Sequence, residues 1–328
     1  MRRREFIMLL GGAAATAWPL ATNAQQRGMP VIGYLHSSSA RPSARNIGVF
    51  LNALNEAGLV VGTNIAIEYR WAENQYDRLP ALAADLVGRQ VSILVTQGGS
   101  TSALAAKAET STIPIVFSGG GDPVAQGLVA SMNRPGGNAT GVRILDAAAE
   151  GKRLGLLREM VPNAGLIGVM LNPNNANFQF ELDEVEQAAR AVGQRIHVLN
   201  ASMRQEIDAA FATLVALKAS ALTVTADPFL QNSRDQIAAL AARYAIPTID
   251  SRREFVEVGG LMSYSPSVDE ATRQISRYVA RILKGEKPGD LPVFQTTKFE
   301  FLINLKTAKA LGFEVPPGLS ARADEVIE

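Results

Sequence analysis

The sequence contains no cysteine among its 328 residues. This absence excludes disulfide bonds, thiolate metal sites and a lipid-modified N-terminal cysteine. Histidine is almost as scarce, because His36 and His197 are the only two. They are far apart in the chain, and neither has a histidine partner four residues away. We therefore expect no metal site and no cofactor.

An excess of charge of one sign is also missing. Without residues 1–24, 29 basic residues face 30 acidic ones. A surface that follows nucleic-acid phosphates needs clustered lysine and arginine, so no nucleic-acid partner is expected. The apolar runs after residue 24 are only as long as strands, and we expect no membrane span once the first 24 residues are removed.

The motifs of common catalytic and nucleotide-binding sites are absent. There is no G-x-S-x-G elbow, no G-x-G-x-x-G spacing and no glycine loop followed by Gly-Lys-Ser/Thr. Spacing alone leaves a Ser-His-Asp arrangement open. Without a supporting motif, we predict that the protein is not an enzyme.

The first 24 residues have the pattern of an export signal. A basic start precedes an apolar stretch from Phe6 to about Ala21, and a small-x-Ala sequence ends at Ala24. The string Arg3–Ile7 resembles a twin-arginine signal, although Arg2 stands where such signals prefer Ser or Thr, so Sec export is the alternative. The stretch is shorter than the roughly 20 residues of a membrane-spanning helix. We expect a periplasmic protein cleaved near Ala24.

The remaining chain alternates short apolar runs with helical patterns, which is typical of βαβ units and a parallel sheet. One series runs from a strand over 31–36 and a helix over 45–57 to an extended segment over 138–144. A second runs from a helix over 148–160, through one over 230–243, to one over 268–284. Both contain an apolar strand, an alanine-rich helix and a strand that begins Ile-Pro. The α/β pattern predicts two similarly built lobes.

The carboxyl ends of the predicted strands are polar and small. In open parallel sheets, ligands bind beyond these ends. Two lobes with such edges facing each other form a polar cleft. The strand ends are Ser37-Ser38-Ser39, Gln97-Gly98-Gly99-Ser100, Ser118–Asp122, Asn172–Asn175, Asp227-Pro228 and Asp250-Ser251.

Several strings of this chain together resemble the ABC transporter substrate-binding family that includes tryptophan- and phenylalanine-binding members. The resemblance covers nearly all of the chain after the signal. The strings are Val31–Leu35, Gly98–Thr101, Gly121–Val124, Arg134–Gly141, Asn172-Pro173 and the tail Lys298–Gly312.

This resemblance implies a type I periplasmic binding protein fold, with two Rossmann-like lobes, parallel central sheets and a ligand cleft between the lobes. It also implies a three-crossing hinge, which we expect near 142–147, 264–267 and 291–296. The first lobe then comprises residues 25–143 plus 266–292. The second comprises 144–265 plus 293–328.

The function implied by the resemblance is capture of a small solute, closure of the two lobes, and delivery to an ABC permease in the inner membrane. The expected solute is an amino acid, with aromatic and branched side chains the first to consider, and the expected state is a monomer. A ligand-sensing receptor domain on the same fold is the first alternative, and an exported enzyme is the second.

Three residues at one helix start, Gly99, Ser100 and Thr101, are suited to a ligand carboxylate, because free N–H groups and hydroxyls meet there. An ordinary helix cap after a tight turn explains them equally well. Ser118 and Asp122 flank glycines that permit close backbone approach to a ligand. Asp122 is also well placed to start a helix before Pro123.

In the second series, Asp227 is suited to a ligand ammonium, but it is also a natural cap before Pro228. Asp250 and Ser251 lie at an equivalent strand end, and Arg252 is suited to an acidic ligand. Asn174 and Asn175 offer both donors and acceptors, although a turn explains them nearly as well. Ser38 is a candidate for the same reason as the other strand-end hydroxyls.

Aromatic residues near strand ends are candidates for holding an apolar side chain of the ligand. We favour Tyr34 and Tyr264 because their hydroxyls need a polar neighbour. Phe117 is assigned to the core. The predicted site thus combines polar strand ends with a pair of tyrosines.

Overall fold

The computed structural model describes residues 28–146 and 149–328. The predicted export signal lies outside the described residues. In this part of the chain, no helix is both long enough and apolar enough to cross a membrane.

The first part of the chain alternates strands and helices, as its hydrophobic pattern predicts. Val31–His36 is a continuous apolar run and forms a strand that is buried on both faces, as expected in a parallel sheet covered by helices. Its elements are β1 (Val31–His36), α1 (Ala44–Glu56), β2 (Ala66–Trp71), α2 (Leu79–Gly88), β3 (Ile93–Gln97), α3 (Ser100–Glu109), β4 (Ile115–Gly119) and β5 (Ala139–Arg143), with a 3-10 helix at Tyr76–Arg78.

The second part of the chain repeats this alternation. It contains α4 (Glu150–Met160), β6 (Ile167–Leu171), α5 (Phe178–Ala191), β7 (Ile196–Asn200), α6 (Arg204–Ala216), β8 (Ala221–Val224), α7 (Pro228–Asn232), α8 (Arg234–Arg243), β9 (Thr248–Asp250), α9 (Arg253–Glu257) and β10 (Met262–Pro266). The remaining elements are α10 (Val268–Leu283), a 3-10 helix at Pro288–Asp290, β11 (Phe294–Gln295), β12 (Phe299–Asn304), α11 (Leu305–Ala310), α12 (Pro317–Ser320) and β13 (Glu325–Ile327).

The strands form two sheets, one for each lobe. The first has the order β11-β5-β4-β3-β1-β2, and the second has the order β13-β12-β10-β9-β8-β6-β7. All pairs are parallel except that of β10 with β12, in which Pro266 lies opposite Phe299. The chain re-enters the second lobe at the hinge, where β10 ends, and β12 therefore runs in the opposite direction.

Three connections link the lobes. They are residues 144–149, which include two residues outside the description, Ser267, and residues 296–298. Strand β11 pairs with β5, so Phe294 and Gln295 belong to the first sheet. The boundary predicted between 292 and 293 separates these partners, and we propose that the first lobe extends to Gln295.

Helix α10 returns to the first lobe and closes its core. Its buried residues Ile275 and Val279 pack with Phe50 of α1 and with Val116 of β4. The second lobe has its own apolar clusters, one around Phe211 and Ile237 and another around Leu157 and Phe301. Each sheet therefore packs against a separate apolar core, and the polar strand ends of the two lobes face each other.

The helix predicted over 230–243 is broken at Ser233. Two helices, α7 and α8, replace it, and Ser233 terminates the first while starting the second. Pro228 begins α7 directly after Asp227, two residues earlier than predicted. This break places the side chains around residue 232 at the cleft.

Candidate functional site

A cavity of about 100 Å³ lies between the carboxyl ends of the strands of the two lobes. This volume is several times the roughly 10–15 Å³ that one water molecule occupies on the same measure. Fifteen of the 25 residues that line it have polar or charged side chains. The lining includes His36, Ser38, Gln97, Gly99, Ser118, Asp146, Asn175, Asn177, Asn232, Arg234, Asp250, Arg252, Glu254 and Phe255.

The first lobe contributes neutral polar groups. Gln97 ends β3 and is only 6% exposed; its Oε1 accepts a hydrogen bond from the Ser118 hydroxyl at 3.1 Å. Its Nε2 is buried and has no partner among the described residues. Gly98 has φ of +80°, and a Cβ there would meet Ser37 Oγ and the His36 ring. Glycine thus lets the loop approach β1 closely.

His36 lines the cavity as a neutral ring. Its Nδ1 accepts a hydrogen bond from the Ser38 amide at 2.9 Å, so Nε2 carries the proton. Burial lowers the pKa of His36 to about 3. The ring packs against Trp71, with 5.1 Å between centroids. His36 therefore stays uncharged across the physiological pH range.

The second lobe contributes charge. Asp250 ends β9 and is 1% exposed; its Oδ1 accepts from the Arg252 amide at 2.9 Å, whereas its Oδ2 is buried without a partner among the described residues. Burial raises the pKa of Asp250 to about 7, and the charge of Arg252 opposes this shift. A buried carboxylate oxygen without a donor is well placed to receive one from a ligand.

A buried ion-pair network supports this wall. Arg252 donates to both carboxylate oxygens of Asp146, at 2.6 and 2.8 Å. Behind it, Arg153 is fully buried; it pairs with Glu150 and donates to the backbone carbonyls of Asp146 at 2.8 Å and Tyr264 at 2.9 Å. Asp146 and Tyr264 lie beside two of the hinge connections. Arg153 therefore ties two hinge segments to α4.

Direct contacts join the lobes around the cavity. Asn232 exchanges hydrogen bonds with Ser38, and its Nδ2 also donates to Asn74. The Tyr76 hydroxyl donates to Asp227 at 2.8 Å, and Gln126 donates to Asn177 at 2.8 Å. The described arrangement is thus a closed one, in which the first lobe touches the second on several sides of the cavity.

Four of the predicted site residues line the cavity: Ser38, Gly99, Ser118 and Asn175. They come from both lobes and lie at or just beyond the ends of β1, β3, β4 and β6. The eight others lie elsewhere, in the core, in helix caps or on the surface.

The two tyrosines that the sequence analysis favoured are not among the residues that line the cavity. Tyr34 is 1% exposed and packs in the first-lobe core against Phe50 and Tyr69. It sits too early in β1 to reach the strand end. Tyr264 stacks on Phe299, at 5.4 Å between centroids, on the second sheet away from the cavity. Of the described residues, only His36 and Phe255 bring aromatic rings to the lining.

Asp227 and Asp122 act as helix or turn caps. Asp227 Oδ1 accepts from the amides of Phe229 and Leu230, and its remaining capacity is used by side chains of both lobes. Asp122 Oδ1 accepts from the Val124 and Ala125 amides. With these partners, neither carboxylate lines the cavity.

The remaining four predicted residues are also displaced from the lining. Ser100 Oγ is buried beside Gly119, and Thr101 Oγ1 accepts from the Ala176 amide across the lobes at 3.4 Å. Asn174 is exposed in a turn. Ser251 is buried, with its hydroxyl directed to Asp250.

The predicted site residues did not include Gln97, Asp146, Asn232 and Arg234, which line the cavity, whereas Asp250 and Arg252 were considered as candidates and do line it. Gln97 and Asp250 lie at predicted strand ends, and that position was their signal. Asn232 and Arg234 were hidden inside a predicted continuous helix. Among the described residues, no group of three or more histidine, aspartate or glutamate side chains is arranged to hold a metal ion.

Residues 40–327 match the family model described as ABC transporter substrate binding protein. The chain belongs to this family. The substrate-binding protein is 29% identical, over 265 residues, to a tyrosine-binding protein of Clostridioides difficile, an alignment that covers 81% of this chain and 76% of the relative.

Solved structures agree with the two-lobed fold of this substrate-binding protein. A conserved domain protein of Vibrio cholerae has a TM-score of 0.85 at 26% identity, and covers 91% of this chain and 99% of its own. A Streptococcus pneumonia ABC domain in complex with L-Trp has a TM-score of 0.82 at 23% identity, with the same coverage. The second likeness shows the fold alone.

Proposed function

We propose that this protein is the periplasmic solute-binding component of an ABC importer. It is exported through the signal in residues 1–24, captures an amino acid between its lobes as a monomer, and delivers it to a permease in the inner membrane. The observation that carries the proposal is a pair of buried polar atoms without partners among the described residues. Gln97 Nε2 is a donor on one lobe, and Asp250 Oδ2 is an acceptor on the other.

Such a pair favours binding of a solute that has both an acceptor and a donor. Leaving a buried polar atom unpaired costs about 1–3 kcal/mol, and a bound solute removes that cost on both lobes only when they are closed. Binding therefore favours closure of the hinge, since the closed state alone makes both contacts.

An amino acid fits the chemistry of the lining. Its ammonium group matches the carboxyls of Asp250 and Glu254, and its carboxylate matches the donors of the lining, which include Gln97 and Arg234. Ile144 and Val268 supply apolar surface for a side chain. Two similar proteins, one named as tyrosine-binding and one solved in complex with L-Trp, support the same ligand class.

The test is calorimetric titration of the purified protein with the common L-amino acids, together with sugars, nucleosides and organic acids. We expect one group of amino acids to bind, and Asp250→Asn to weaken that binding by about 10- to 100-fold, because a charge-assisted hydrogen bond is lost. Asp122→Asn is the matched control in the first lobe, and its affinity should equal that of the wild type.

Recovery of the ligand separates the alternatives. An unchanged amino acid after incubation supports a carrier, whereas turnover would establish an exported enzyme. Uptake that is lost when the permease is deleted supports import, and binding without any effect on uptake would favour the receptor domain. If no amino acid binds, the amino-acid assignment is wrong.

A further inference from the structure

Arg234 is the first residue of α8 and lines the cavity. The helix break at Ser233 directs it there. Its Nη1 donates to the Gln231 carbonyl at 3.0 Å, which holds the guanidinium in place. Its Nε is buried and has no hydrogen-bond partner among the described residues. A guanidinium has five N–H donors, so most of its binding capacity is unused.

Arg234 also has no counter-charge. No carboxylate within residues 28–146 and 149–328 lies within 4.0 Å of it, whereas Arg252, the other cation of the lining, is held by Asp146. Removal of a cation from bulk water is unfavourable unless an anion compensates it. The contrast between the two arginines indicates that one is structural and that the other is left for an anion.

The position of Arg234 complements the carboxyl groups of the cavity. Asp250 and Glu254 also line it, and among the described residues neither lies within 4.0 Å of Arg234. Arg252 and Arg153 are the cations that act most strongly on Asp250, and Arg234 is a separate cation. A zwitterion laid across the cavity meets an opposite charge at each end.

We propose that Arg234 binds the carboxylate of the solute. The planar guanidinium can form two parallel, charge-assisted hydrogen bonds with a carboxylate. The backbone N–H groups of a loop such as Gly98-Gly99 carry no net charge. This inference rests on the proposed amino-acid function. It assigns the anion to the second lobe, so that both charged ends of the solute are held by the same lobe before closure.

The test compares each amino acid with the amine that lacks its carboxylate: L-tyrosine with tyramine, L-tryptophan with tryptamine, and L-leucine with isopentylamine. We expect Arg234→Gln to lower the affinity for the amino acid by about 10- to 100-fold and to leave the affinity for the amine unchanged. Arg234→Lys keeps the positive charge and should lower the affinity for the amino acid less than Arg234→Gln does. Arg190→Gln, which removes an exposed cation of α5, is the control and should change neither affinity.

Two results would overturn the inference while the proposed function stands: unchanged amino-acid affinity in Arg234→Gln, or equal weakening of amino acid and amine. Thermal unfolding checks that each variant is folded, and Arg234→Lys replaces Arg234→Gln in the comparison if the latter is not. If the wild type binds no amino acid, the same variants are titrated with 3-(4-hydroxyphenyl)propanoate and succinate. Arg234-dependent binding of these acids supports the anion site, and its absence overturns it.

Discussion

The two lobes share one topology but contribute different chemistry to the cavity. The first lobe contributes neutral groups, among them His36, Gln97 and Ser118, while the second contributes Arg234, Asp250 and Glu254, as well as Arg252 paired to Asp146 at the hinge. The loops of the first lobe follow strands backed by an aromatic cluster around Tyr34 and Trp71. Those of the second lobe are backed by a buried ion-pair network.

This division has a physical reason. A buried charge is tolerated when it is paired, and Arg252 pairs with Asp146 while Arg153 pairs with Glu150. Neutral hydroxyls and amides exchange a ligand for water at little cost. Under the proposed function, the lobe that holds the charges is the pre-organised binding surface over which the neutral lobe closes.

The largest effect should follow from breaking the buried network. Arg153→Met removes the partner of Glu150 and the donors to two hinge carbonyls, and should lower the free energy of unfolding by about 3–5 kcal/mol. Urea unfolding measures the change. Arg190→Met, which breaks an exposed pair with Glu186, should cost about 0–1 kcal/mol. Equal losses in the two variants would contradict the role of the network.

The pH dependence of stability tests the unpaired carboxyl of Asp250. Its folded pKa of about 7 lies above the unfolded value near 3.8. The folded state therefore binds the extra proton between these values, and stability falls as pH rises from about 4 to about 7, by at most roughly 1.4 kcal/mol per unit. Asp250→Asn should lack this fall. Parallel unfolding curves for both proteins between pH 4 and 7 would refute the assignment.

A smaller effect is expected from the contact between the lobes. Asn232→Ala removes the hydrogen bonds to Ser38 and Asn74, which stabilise the closed state by about 1 kcal/mol. The affinity for the amino acid should therefore fall by about fivefold, chiefly through faster dissociation. Stopped-flow release measures the rate. Asn174→Ala, at an exposed asparagine of the same lobe, should release the ligand at the wild-type rate.

The smallest effect is predicted for Tyr34→Phe. Since this ring lies in the core rather than at the cavity, the affinity should change by less than about twofold. Ser38→Ala, four residues later on the same segment, loses the bond to Asn232 and should have a larger effect. If Tyr34→Phe loses more affinity than Ser38→Ala, Tyr34 contributes to ligand binding and the assignment to the core alone is wrong.

Much of the fold could be predicted because its signals are local. Buried apolar runs predicted β1 at its observed bounds, and a periodic apolar face predicted α1 to within one residue at each end. The polar strand ends predicted a cleft between two lobes. The short elements β11 and α9 were missed, because two to five residues carry too little periodicity.

What the sequence by itself determined is the alternation of strands and helices, the two lobes and the polar edge where they meet. It did not determine which aspartate faces the cavity. Asp227 follows β8, Asp250 ends β9, and both precede helices. Yet the first is saturated by Asn172, Asn175 and Tyr76, residues 52 to 151 positions away. The second keeps one oxygen free of partners within the described chain. Only the tertiary structure decides this, because hydrogen-bond saturation depends on neighbours that the fold, and not the local sequence, brings together.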